Sequence, residues 1–209
     1  MITKICGIKT IETLVCCVEN KVNFFGMIFY SKSPRNISFN EAKNLQNFSE
    51  KLNINGVAVF VDEEINTVNK LVENLKLKYI QLHGNEDNNY IINLKKLNVK
   101  VIKSLSISKS EDLEKVYKYN SADYFLFDYK PKKDELPGGN SKSFNWNIIR
   151  NYSLKTPWFL SGGINLRNIN IVKSKICPFG IDLSSGVEKE LGIKDIQIIN
   201  KLMSKINNA

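Results

Sequence analysis

The sequence predicts a (β/α)8 TIM barrel, with residues 1–209 forming one domain. Three observations predict it. Strand-like and helix-like segments alternate along the whole chain, which argues for a parallel sheet. Eight such pairs fit into 209 residues with no linker between them, a length at which α/β barrels form single domains. The third observation counts against the runner-up, an open doubly wound sheet. Its first strand-to-helix turn should carry Gly-x-Gly-x-x-Gly, whereas here the turn reads Cys6-Gly7-Ile8-Lys9-Thr10.

The elements follow in order. A strand over 3–6 stops at Gly7, and an amphipathic stretch over 11–20 follows. The apolar run 23–29 gives the second strand and 40–52 its helix. Strand 56–61 pairs with helix 63–75, strand 79–83 with helix 86–97, and strand 99–104 with helix 109–119. The sixth strand, 124–128, is followed by a helix over 145–152. The last two pairs are 158–161 with 166–173, and 180–184 with 195–207. Side chains alternate along a strand, so Lys4 and Cys6 share a face, as do Gln81 and His83, and Asp182 and Ser184.

Composition narrows the function classes. Hydrophobic residues make up 43% and charged residues 24%, the balance of a soluble globular protein. The longest apolar runs are too short to span a bilayer, and no signal-peptide pattern opens the chain. A cytoplasmic protein with no membrane partner is expected, with Cys6, Cys16, Cys17 and Cys177 as free thiols. His83 is the single histidine, so no metal site of the usual zinc type is expected. The net charge of +9 raises nucleic-acid binding. The lysines are spread along the chain, however, and no basic block is interleaved with aromatics. A solvated lysine-rich surface that attracts a small anionic substrate is the preferred reading. Oligomeric state stays open between monomer and homodimer.

In a barrel, chemistry sits at the C-terminal strand ends, and polar residues collect there. Cys6 ends the first strand beside a glycine turn; it reads as a reactive thiol or as a small buried hydrophobe. Asp128 closes the apolar run Tyr124-Phe125-Leu126-Phe127. A carboxyl group at the rim of an apolar pocket tends to keep its proton, which suits a general acid; the alternative is a loop or capping aspartate. Arg35, in the loop after the second strand, can hold a carboxylate by two parallel bonds or stay solvated. His83 reads as an acid–base group or as a hydrogen-bonded core histidine. After strands seven and eight come Ser161-Gly162-Gly163 and Ser184-Ser185-Gly186. Barrels hold phosphate at these two strands, with glycine backbone and serine hydroxyls as donors.

These residues resemble the phosphoribosylanthranilate isomerase family. The matching pieces are Lys4-Ile5-Cys6-Gly7-Ile8, Ser33-Pro34-Arg35, Gln81-Leu82-His83-Gly84 and Leu126-Phe127-Asp128. Then come Gly138-Gly139 with Phe144-Asn145-Trp146, Leu160-Ser161-Gly162-Gly163-Ile164, and the run from Gly180 to Glu188. They stand in family order over nearly the whole chain. The resemblance implies an aldose–ketose isomerase of tryptophan biosynthesis acting on a phosphosugar, N-(5′-phosphoribosyl)anthranilate, without a cofactor. It implies Asp128 as general acid and Cys6 as general base. It places Arg35 at the substrate carboxylate, His83 and Asp182 near the ligand, and Gly162, Gly163, Ser184, Ser185 and Gly186 on the phosphate. Lys4, about 7 Å down the strand from Cys6, is offered as an electrostatic helper for the thiolate. One departure stands out: the loop after strand six reads Gly138-Gly139-Asn140-Ser141-Lys142 where the family usually has Gly-Gly-Thr/Ser-Gly. Ser141 restricts φ there, which implies a different turn over the substrate. A metal-dependent epimerase would need more histidines, and a histidine-pathway isomerase would need an aspartate in place of Cys6.

Overall fold

The computed structural model describes residues 1–132, 135, 138–139, 142–150 and 152–208. Eight parallel strands close into a barrel in sequence order: β1 (Ile2–Cys6), β2 (Phe24–Phe29), β3 (Asn55–Phe60), β4 (Tyr79–Leu82), β5 (Lys100–Ile107), β6 (Tyr124–Tyr129), β7 (Trp158–Leu160) and β8 (Gly180–Leu183). The seam joins the first strand to the last, with Lys4 opposite Asp182 and Ile5 opposite Leu183. Each predicted strand is present to within a few residues.

The helices depart further from expectation. The first four, α1 (Ile11–Glu19), α2 (Phe39–Ser49), α3 (Ile65–Leu75) and α4 (Asn88–Lys95), lie where amphipathy puts them. Thr10, Ser38 and Asp87 cap three of them through side-chain oxygens that accept backbone N–H bonds. The fifth, Ser110–Tyr119, winds as a 3-10 helix. Leu113 and Val116 are buried and Tyr119 packs behind them; this spacing of three fits three residues per turn. The sixth shrinks to one 3-10 turn, Trp146–Ile148, in a stretch of asparagines and β-branched isoleucines that favours helix poorly. The seventh, α5 (Ile169–Ile171), starts late because Asn165 and Asn168 bond the local backbone in place of a first helical turn. It runs into a π-helical turn, Val172–Ile176, which ends before Pro178. An unpredicted hairpin, β9 (Glu188–Glu190) and β10 (Ile193–Lys194), precedes α6 (Ile196–Asn207). No helix among the described residues is long and apolar enough to cross a membrane.

Alternation sorts the barrel interior along its axis. Phe24, Tyr79, Tyr124 and Phe159 cluster at the N-terminal end in edge-on and tilted ring contacts. Val57, Ile102 and Leu126 fill the middle with Phe159. Residues of the same facing continue upward as Cys6, Gln81, His83, Ser104, Asp128, Asp182 and Ser184. The aromatic end is plugged, so polar chemistry is confined to the opposite end.

The opposite strand faces point at the helices and hold a buried ion pair. Lys103 Nζ donates to Glu86 Oε2 at 2.8 Å and to the Gly84 carbonyl at 2.7 Å. Glu86 Oε1 accepts the Asp62 N–H at 2.9 Å, and Gly84 N–H donates to Glu86 Oε2 at 3.1 Å. One carboxylate thus pins the turn after β4, directly beyond His83. Glu86→Ala leaves Lys103 charged and unpaired inside the protein. It should cost about 3 kcal/mol, read as a lowered urea midpoint with an unchanged m-value.

Candidate active site

The strand ends converge on one cavity with two lobes. The larger is lined by Cys6, Arg35, Gln81 and His83 and by apolar Ile28, Tyr30, Val59 and Val61. The smaller is lined by Gly162, Gly163, Ser185, Gly186 and Lys142. Asp128, Gly138, Gly139, Ser161, Asp182 and Ser184 border both. All the sequence-predicted positions therefore meet in one place. Asn140 and Ser141 lie outside the described residues.

Cys6 is buried on β1, and its backbone carbonyl accepts a bond from Ser184 Oγ at 3.2 Å. A Cβ at Gly26, on the neighbouring strand, would stand 2.7 Å from the Cys6 sulfur, so only glycine leaves room for the thiol. Burial pushes the Cys6 thiol up, while Lys4 and Lys194 pull it back without overcoming burial. Lys4 does share the Cys6 face, but its Nζ donates to Asp182 Oδ1 at 2.9 Å, and both side chains are buried. Burial works against the Lys4 ammonium; Asp182 and Cys6 outweigh it and hold Lys4 above its ordinary value. Asp182, whose part the sequence left open, is the counter-ion of Lys4.

Asp128 stands three strands round the barrel from Cys6, through β8 and β7. Its surroundings are polar, not the apolar rim expected from the strand's sequence. Oδ1 accepts the Tyr129 N–H at 2.8 Å, and Oδ2 lies 3.4 Å from His83 Nε2. Gln81 Nε2 donates to His83 Nδ1 at 3.0 Å, which puts the ring proton of neutral His83 on Nε2, facing Asp128. His83 is thus both a hydrogen-bonded interior residue and part of the cavity wall.

Gly162 and Gly163 adopt φ of +88° and +69°, which turns the chain sharply after β7 in a way that side chains with a Cβ resist. Ser185–Val187 forms a short 3-10 turn after β8. Arg35 is buried rather than solvated, and its guanidinium grips Glu188 with Nε–Oε1 at 2.7 Å and Nη2–Oε2 at 2.8 Å. Lys194 Nζ also donates to Glu188 Oε1, at 2.6 Å, and to the Ser184 carbonyl at 3.1 Å.

A family model described as N-(5′-phosphoribosyl)anthranilate isomerase matches residues 3–205. The chain belongs to the phosphoribosylanthranilate isomerase family. It is 38% identical over 209 residues to N-(5′-phosphoribosyl)anthranilate isomerase of Brucella canis, covering 99% of this chain and 94% of the relative. The solved phosphoribosyl anthranilate isomerase of Thermotoga maritima superimposes with a TM-score of 0.87 at 31% identity, covering 98% of each chain. A phosphoribosyl anthranilate isomerase solved in complex with reduced 1-(o-carboxyphenylamino)-1-deoxyribulose 5-phosphate gives a TM-score of 0.85 at 29% identity over the full length of both. Membership makes the chain an isomerase.

Set against this phosphoribosylanthranilate isomerase fold, sequence reasoning missed two groups of cavity residues. The apolar wall was detectable: Ile28 and Tyr30 continue the inward alternation of Gly26, and Val59 and Val61 that of Val57. Lys194 had no local signal, and Glu188 appeared only as the end of a motif. Burial pushes the Glu188 carboxyl up, but Arg35 and Lys194 outweigh it and hold it at about 2. That folded-state value lies below the ordinary 4.5. The network therefore stabilises the fold above about pH 4.5 and loses that contribution as pH falls through about 2. Across this window, acid titration should destabilise the wild type more steeply than Glu188→Gln, as read by thermal melts at each pH.

Proposed function

We propose that the chain converts N-(5′-phosphoribosyl)anthranilate to 1-(2-carboxyphenylamino)-1-deoxyribulose 5-phosphate by an Amadori rearrangement in tryptophan biosynthesis. Asp128 is the general acid and Cys6 the general base. The observation that carries this reading is a single cavity with a thiol and a carboxyl on different strands and two lobes of opposite character. The substrate has matching ends, a phosphate and an aromatic carboxylate.

The phosphate takes the polar lobe, on backbone N–H groups of Gly162, Gly163, Ser185 and Gly186 and the Ser185 hydroxyl; the Ser184 hydroxyl is spent on the Cys6 carbonyl and only borders the lobe. The aromatic ring lies against Ile28, Tyr30, Val59 and Val61, with its carboxylate toward Arg35. The ribose then spans the shared border, between Cys6 and Asp128. Asp128 gives its proton to the furanose ring oxygen. The C1′–O bond breaks as the nitrogen lone pair forms an iminium. Cys6, as thiolate, takes the C2′ proton, and the C–H electrons flow into the iminium to give an enolamine. Tautomerisation then moves a proton to C1′ and leaves the ketose. The substrate's own C=N bond is the electron sink, so the reading calls for no cofactor.

His83 Nε2–H faces Asp128 and would bond the carboxylate left after proton donation. Cys6 needs positive charge to ionise against burial. Lys4 and Lys194 supply some of it, and the iminium adds more once the ring has opened.

Cys6→Ser and Asp128→Asn should each lower turnover by at least about two orders of magnitude, the scale of lost acid–base catalysis. Near-normal rates in either variant would refute the assignment. Expression of the chain should restore growth of a tryptophan auxotroph lacking this isomerase, with Cys6→Ala as the inactive control. Lys4→Met should move the basic limb of the pH–rate profile assigned to Cys6 to higher pH; an unmoved profile would remove Lys4 from the mechanism.

A further inference from the structure

Arg35 carries the proposed contact with the substrate carboxylate, yet a carboxylate of the chain already holds its guanidinium. The two bonds to Glu188 are parallel and use one edge, Nε with Nη2. Nη2 also donates to the Gly139 carbonyl at 3.3 Å. A guanidinium has five N–H donors, so the pair on Nη1 is left without a protein acceptor among the described residues. Arg35 and Gly139 both line the cavity.

Glu188 is fixed in turn. Lys194 holds Oε1, and the Gly192 N–H donates to Oε2 at 3.2 Å. The side chains of Arg35, Glu188 and Lys194 are 5% exposed or less. Arg35 and Lys194 share the one carboxylate of Glu188 in this buried cluster.

We propose that Glu188 is the positioning residue for Arg35. It grips the Nε–Nη2 edge so that Nη1 is presented to the substrate carboxylate, and Lys194 anchors Glu188. This rests on the reading that Arg35 meets that carboxylate. The competing picture makes Glu188 a place-holder that the substrate displaces; removing it would then tighten binding.

Two ligands separate these pictures: reduced 1-(o-carboxyphenylamino)-1-deoxyribulose 5-phosphate and its phenylamino counterpart without the carboxyl group. Calorimetric titration of the full chain should show Glu188→Gln losing about tenfold or more in affinity for the first. The loss for the second should be less than about threefold. In steady-state kinetics KM should rise by a larger factor than kcat falls. In an Arg35→Met background, Glu188→Gln should cost nothing further. Lys194→Met should give the same selectivity with a smaller loss, and it carries the test if Glu188→Gln does not fold. Tighter binding of the carboxylated ligand, or equal losses for both ligands, would overturn the proposal. If Arg35→Met itself fails to discriminate the two ligands, the Arg35 reading falls and takes this one with it.

Discussion

Two opposite charges face inward from the first and last strands of this barrel, and they have to meet. Removing an ammonium and a carboxylate from water costs several kcal/mol each. Lys4 and Asp182 offset that cost only when β1 and β8 are paired in the register that sets them opposite each other. The ion pair therefore sits on the seam that closes the sheet. A shift of β1 by one residue would turn Lys4 and every other inward side chain of β1 out of the interior and leave Asp182 buried without its partner. The same register sets Ser184 Oγ on the Cys6 carbonyl.

The axis of the barrel carries a gradient from aromatic to aliphatic to polar, and that gradient confines the chemistry to one end. At the N-terminal end, interlocked rings exclude water. At the other end the inward positions become a thiol, an amide, an imidazole and two carboxyl groups. The acid and the thiol project from a rigid wall rather than from loops, so their separation does not depend on loop closure. The loops contribute what a wall cannot: a sharp glycine turn after β7, a 3-10 turn after β8, and the arginine beyond β2.

The β9–β10 hairpin ties these parts together electrically. Glu188 lies between Arg35, which lines the apolar lobe, and Lys194, which reaches Ser184 and the surroundings of Cys6. Burial alone would suppress ionisation of Glu188, Lys194 and the Cys6 thiol. Their mutual charges hold the Glu188 carboxyl low, while burial still pushes the Cys6 thiol up.

Alternation within short segments is a local property, and what depends on it was legible in the sequence. The eight strands, the shared faces of Lys4 with Cys6 and of Gln81 with His83, and the polar strand ends all follow from it. Helix type was less legible. Whether Ser110–Tyr119 winds with three or 3.6 residues per turn depends on which side chains the barrel buries. Charge partnership was not legible at all. Lys4 and Asp182 are 178 residues apart, and Arg35 and Glu188 are 153 apart, with no period linking them. The sequence by itself determined which residues face the barrel axis, because a two-residue repeat needs only neighbours. The tertiary structure alone decided which buried charges neutralise one another, because that depends on closure of the ring and on where water is excluded.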